Sequence, residues 1–148
     1  MPAPPAPEEE RAQHRALDRT IRVAGVVISL LATILTAALE LFLTQLRLGG
    51  VPVGVSILLA AVANPAIAWF AVTTTERAWA LGPPWALWTV LMLAAAGIRT
   101  DEGDYLIGAS DWVALVTILV GSLAFAFYAY RMILSRRPAR YDLGGGRR

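Results

Sequence analysis

The stretch that decides the fold is VAGVVISLLATILTAALELFLTQL, residues 23–46. It carries one charge, Glu40, in a run long enough to cross the roughly 30 Å hydrocarbon core of a bilayer, which takes about 20 apolar residues in a helix. Read at helical pitch, its small and polar residues gather on one side. Gly25, Ser29, Thr33, Thr36, Glu40 and Thr44, continued by Arg47, fall three or four residues apart throughout and so share one helix face. Hydrocarbon offers hydroxyls and a carboxylate no partner, so such a face turns toward other helices or a cavity.

Three more apolar blocks follow. They run over Pro52–Val72, with Asn64-Pro65 near the middle, over the shorter Pro83–Ile98, and over Trp112–Tyr130. Gly49-Gly50 breaks the chain between the first two, and Pro52 suits the first turn of the helix after it. Gly82-Pro83-Pro84 serves the third block in the same way, and Ser110 or Asp111 is placed to cap the fourth. Thr73 with Glu76 has the spacing of a capping box, which predicts one helical turn in the second connection. The fourth block carries a milder small-residue face in Ser110, Ala114, Thr117, Gly121, Ala124 and Tyr128. The first and fourth helices are therefore expected to pack together through these faces.

The expected fold is all-α: an integral-membrane bundle of four transmembrane helices over residues 22–131, with spans at about 23–46, 52–72, 83–98 and 112–130. An N-terminal tail over 1–21 and a basic C-terminal tail over 132–148 flank it. Residues 1–10 and 136–148, the latter with Gly144-Gly145-Gly146, read as disordered. The first span is too long for the apolar core of a signal peptide and is read as retained. A soluble four-helix bundle would need a polar stripe on every helix, and the second to fourth blocks nearly lack one.

Composition agrees. Of 148 residues, 57% are hydrophobic and 16% charged, with a mean hydropathy of +0.57. An ordinary soluble domain is about 45–50% apolar and about 25% charged. This excludes most soluble enzyme classes, a disordered tail protein and a nucleic-acid-binding domain. The absence of Cys removes disulfides, thiolate nucleophiles and Cys-based metal sites, and a single histidine, His14, cannot form a His cluster. All 13 basic residues are Arg, and abundant Ala, Arg, Gly and Pro suggest a GC-rich genome such as an actinobacterium's.

The arginines set the expected orientation. With a cytoplasmic N-terminus, the inside carries Arg11, Arg15, Arg19, Arg22, Arg77, Arg131, Arg136, Arg137, Arg140, Arg147 and Arg148, and the outside only Arg47 and Arg99. Eleven against two is a clear positive-inside bias, and both termini are expected in the cytoplasm. Trp69, Trp79, Trp85 and Trp88, with Tyr128 and Tyr130, are expected at the inner interface, and Tyr105 and Trp112 at the outer one.

Candidate functional residues are few. Glu40 is ionisable within a span, and so a candidate to shuttle a proton, hold a cationic substrate or pair with a partner subunit. Its plainer reading is structural: it reaches the outer interface or pairs with Arg47, seven residues on along the same face. Ser29, Thr33 and Thr36 belong to the same packing or transport face. Asn64-Pro65 removes a backbone hydrogen bond at mid-span, and the Asn64 side chain is expected to satisfy freed groups at a packed kink. Asp101, Glu102 and Asp104 resemble part of an oxygen-ligand cation loop too short for an EF-hand, and a solvated outer loop is the expected reading. The C-terminal arginines are expected to set topology and meet anionic headgroups.

Glu102-Gly-Asp-Tyr-Leu-Ile-Gly before the last span and Arg47-Leu-Gly-Gly-Val-Pro-Val-Gly before the second resemble a family of small actinobacterial integral membrane proteins. The resemblance covers roughly residues 22–131. It implies four spans and a bacterial inner-membrane address, and provides no catalytic residue. The expected function is non-enzymatic: an accessory or assembly subunit packing through the polar face of its first helix. The competing reading is a small proton- or cation-coupled transporter using Glu40. Neither cofactor nor nucleic acid is expected. The expected partners are the lipid bilayer and a membrane protein or a second copy of the chain.

Overall fold

The computed structural model of the chain describes residues 8–97 and 111–135. Helix α1 spans Glu8–Thr44, a two-strand hairpin follows as β1 (Arg47–Leu48) and β2 (Val51–Pro52), and α2 spans Val55–Thr75. A 3-10 turn over Ala78–Leu81 leads into α3 (Gly82–Gly97), and α4 covers Trp112–Ser135. All four helices are long and apolar enough to cross a membrane, the third when its 3-10 turn is counted with it.

α1 departs from expectation at its start. It is helical from Glu8, well before the apolar run, so residues 8–10, expected to be disordered, are helical and the charged stretch up to Arg22 continues the same helix. Its 37 residues make a rod about 55 Å long at about 1.5 Å per residue, nearly twice a bilayer core of about 30 Å. The part ahead of the apolar run carries the exposed Arg15 and Arg19 and the half-buried Arg22. α3 errs the other way: 16 residues reach about 24 Å, and the 3-10 turn adds about 8 Å.

The first connection is a tight hairpin. Gly49 and Gly50 have φ of +61° and +84°, positive at both central positions as a primed two-residue turn requires, and Arg47 pairs with Pro52 across it. Pro52 therefore ends a strand, and α2 begins three residues later than expected at Val55. The Val53 amide donates to the Leu46 carbonyl at 3.0 Å, closing the hairpin's base. In the second connection Glu76 is the left-handed C-cap of α2, with φ 56°, so Thr73 and Glu76 end one helix and cap none. The expected extra turn is present as the 3-10 segment. Asp111 caps α4, its Oδ1 accepting the Ala114 amide at 3.3 Å.

α2 is the central helix. It packs against α1 on one side and α4 on the other, while α1 and α4 touch sparingly. The expected α1–α4 pairing is thus replaced by two α2 interfaces. The reason is the small face of α2 itself: Ser56, Ala60, Asn64, Ala68, Ala71 and Thr75 recur every three or four residues and are all buried. α1 and α2 run antiparallel with Arg22 opposite Glu76 and Gly25 against Thr74. α3 lies chiefly against α1 and stands off from α2 and α4. Trp88 fills the resulting gap, with Ala37, Ala68, Met92 and Phe125 around it.

Candidate functional site

The buried polar face of α1 consists of Gly25, Ser29, Thr33, Glu40 and Thr44, with Ala37 taking the place expected of Thr36, which is only partly buried. Three of its hydroxyls are satisfied on their own helix. Ser29 Oγ donates to the Val26 carbonyl at 2.8 Å, Thr33 Oγ1 to the Ser29 carbonyl at 2.7 Å, and Thr44 Oγ1 to the Leu41 carbonyl at 2.7 Å. Such back-bonding lets a hydroxyl stay in an apolar setting without a partner on another helix. The face as a whole is closed over by the chain's own helices.

Glu40 is fully buried and takes its hydrogen bond from another helix. Trp88 Nε1 of α3 donates to Glu40 Oε2 at 2.9 Å, while Oε1 has no partner among the described residues. Arg47 does not pair with it. The residue lies beyond the end of α1, exposed in β1, because the helix stops at Thr44 and the hairpin carries the chain away. Trp88 also corrects the expected aromatic belt. Trp69, Trp79 and Trp85 are exposed by 57%, 58% and 45%, whereas Trp88 is at 0% and belongs to the core. Tyr128 packs partly buried against that core, and Tyr130 is exposed.

The far edge of the Trp88 ring meets α4 at Gly121. A methyl group there would lie 2.3 Å from Trp88 Cζ2 and 2.8 Å from Asn64 Nδ2, so only glycine fits. Asn64 thus reaches the same point from α2. It is fully buried, and neither Oδ1 nor Nδ2 has a hydrogen-bond partner among the described residues. The expected capture of backbone groups freed by Pro65 is absent, and α2 runs unbroken through that proline. Phe125 closes the cluster with its ring centroid 6.0 Å from that of Trp88, tilted by 55°. Each helix therefore contributes to one centre: Glu40, Asn64, Trp88 and Gly121.

A second polar tie lies toward the hairpin end of α2. Ser56 Oγ and Thr117 Oγ1 are 2.8 Å apart, both buried, and link α2 to α4. Of the small face expected on α4, Ala114, Thr117 and Gly121 are buried, Ala124 and Tyr128 are half-buried, and Phe125 occupies the centre. Ser110, Asp101, Glu102, Asp104 and Tyr105 lie outside the described residues, as do the C-terminal arginines from Arg136 onward. On the outside of the bundle, Ile34, Ala37, Ala38 and Leu41 of α1 and Leu91, Ala94 and Ala95 of α3 line a shallow groove of about 240 Å³.

A sequence reading places Thr117 and Gly121 on the packing face of the fourth helix but misses the burial of Trp88, its contact with Gly121 and the Ser56–Thr117 pair. A partial signal for the first was available: a buried indole N–H needs an acceptor, and Glu40 is the one carboxylate inside the four apolar blocks, although Trp69 and Trp85 share those blocks and only burial singles out Trp88. Compared with protein-family models, with curated proteins and with solved structures, the chain matches none of them.

Proposed function

We propose that this chain is a non-enzymatic, multi-pass protein of a bacterial inner membrane, with both termini cytoplasmic, that works as an accessory or assembly subunit. The observation that carries this reading is the locked centre. Glu40 is held by Trp88, and Trp88 is wedged against Gly121 with no room for a methyl group. A core so packed serves to fix four helices relative to one another, and the one hydrogen bond within it, from Trp88 to Glu40, is spent on joining α3 to α1. The partner then engages the outside of the bundle. Its site is the alanine-floored groove between α1 and α3, where small side chains let the backbone of a partner's transmembrane helix approach closely. The expected role of the polar α1 face passes to this neighbouring surface.

The test is affinity purification from native membranes in mild detergent, wild type beside Ala38→Leu and Ala94→Leu. The proposal expects one membrane protein at stoichiometric yield with wild type and its loss with the groove-filling variants. Recovery of the chain alone, or a partner indifferent to both substitutions, overturns it.

A second reading has its own observation. Glu40 Oε1 and both polar atoms of Asn64 are buried and unpartnered, as a proton- or cation-coupled transporter using Glu40 would need. Proteoliposomes holding the purified chain discriminate the two. The subunit reading expects no flux driven by a proton or sodium gradient, whereas flux abolished by Glu40→Gln would establish transport.

A further inference from the structure

We infer that the cleft where the N-terminal half of α1 crosses the turn between α2 and α3 is a binding site for one anionic phospholipid. This rests on the membrane-spanning reading above. Arg15, Arg19 and Arg22 lie four and three residues apart and so share one face of α1. Arg77 joins them from the other wall, because the left-handed turn at Glu76 ends α2 and redirects the chain. Two contiguous hollows result. The outer one, about 330 Å³, is lined by Arg15, Asp18, Arg19, Arg22, Val23 and Arg77. The inner one, about 490 Å³, shares Arg19, Arg22, Val23 and Arg77 and continues over Val26, Val27, Thr75 and Trp79.

The chemistry changes along the cleft. Four arginines and Asp18 line the outer part, and Glu76 Oε2 holds Arg22 Nη2 at 3.4 Å, so four basic side chains stand against two carboxylates. In the inner part three of those arginines are joined by Val23, Val26, Val27 and the exposed indole of Trp79, and the hydroxyl of Thr75 is spent on the Ala71 carbonyl at 2.6 Å. The boundary falls at Arg22–Val23, where the apolar run of α1 begins and the hydrocarbon of a bilayer would end. A phosphodiester suits the guanidinium end and the start of an acyl chain suits the valines. A soluble phosphate would leave the apolar half bare. A zwitterionic headgroup would bring a quaternary or primary ammonium against an excess of positive charge.

The test uses the full chain, purified and delipidated in detergent, and titrated with phosphatidylglycerol, phosphatidylcholine or inorganic phosphate under native mass spectrometry. One retained phosphatidylglycerol is expected, with about a tenfold preference or more over phosphatidylcholine. Arg19→Gln with Arg77→Gln should erase the preference, while Arg131→Gln, on α4, keeps it. Val26→Trp fills the apolar half without changing charge and should also expel the lipid. Circular dichroism and a monodisperse elution profile establish that each variant folds, and Val26→Trp and the arginine pair test the site from opposite ends. Equal retention of the two lipids, a preference surviving the arginine pair, or saturable competition by inorganic phosphate overturns the inference. Carbonate extraction separates the two levels: a chain that stays in the membrane pellet yet shows no preference refutes the lipid site alone, and a chain released into the supernatant refutes the membrane reading.

Discussion

At the scale of single residues, the fold turns on one hydrogen bond between a helix and its second neighbour in sequence. A buried carboxyl with one bonded oxygen and one unbonded oxygen is sensitive to which atom is removed. Glu40→Gln keeps a carbonyl acceptor for the Trp88 N–H and should retain most of the stability. Glu40→Leu orphans that N–H and should cost about 1–3 kcal/mol. Trp88→Phe withdraws the donor and leaves a void beside Gly121, so it should cost about 2 kcal/mol or more. Detergent-unfolding or thermal melts of the three variants give the order. Equal losses for Gln and Leu at residue 40 would remove the hydrogen bond from the account. Glu40 stands out in any reading of the sequence as a charge inside a span, but its partner does not. The Arg47 expectation extended α1 past Thr44, where the helix ends, into the hairpin, and the interface expectation for Trp88 followed composition where burial decides.

At the scale of elements, close approach governs which helices meet. At Gly25 a methyl would lie 2.7 Å from both Cβ and Oγ1 of Thr74, so Gly25→Ala should cost about 1–3 kcal/mol by overpacking. Because the Thr74 Cβ itself is too near, Thr74→Ala should fail to rescue Gly25→Ala, whereas Thr74→Gly should recover part of the loss in a double-mutant cycle. Rescue by alanine would place the clash elsewhere. The hairpin gives a backbone case: nothing lies within 4 Å of an added Cβ at Gly49 or Gly50, so only the positive φ matters. Gly49→Asn should be nearly neutral, and Gly50→Val should cost about 1–2 kcal/mol, since a branched side chain resists that region. Melting curves of the pair check this. The four apolar blocks and their order were legible because charge and length mark them. The pairing of helices was not, because the small faces of α1, α2 and α4 are alike in sequence. The central place of α2 follows from Ala60, Asn64, Ala68 and Ala71 being buried together, which requires knowing both flanking helices.

At the scale of the whole molecule, lengths and charges combine. α1 is longer than a bilayer core is thick and presents its arginines beside Arg77, while α3 is lengthened by a 3-10 turn. The orientation proposed for the chain places that basic end in the cytoplasm and the Gly49-Gly50 hairpin outside. The absence of cysteine makes a direct measurement simple. Single cysteines are introduced as Ala12→Cys, Val51→Cys, Ala78→Cys, Gly103→Cys and Ser135→Cys, and labelled with a membrane-impermeant maleimide in intact and permeabilised spheroplasts. Four spans with both termini inside predict labelling of residues 51 and 103 in intact cells, and of 12, 78 and 135 only after permeabilisation. Labelling of 12, 78 or 135 in intact spheroplasts, or protection of 51 and 103, would contradict it.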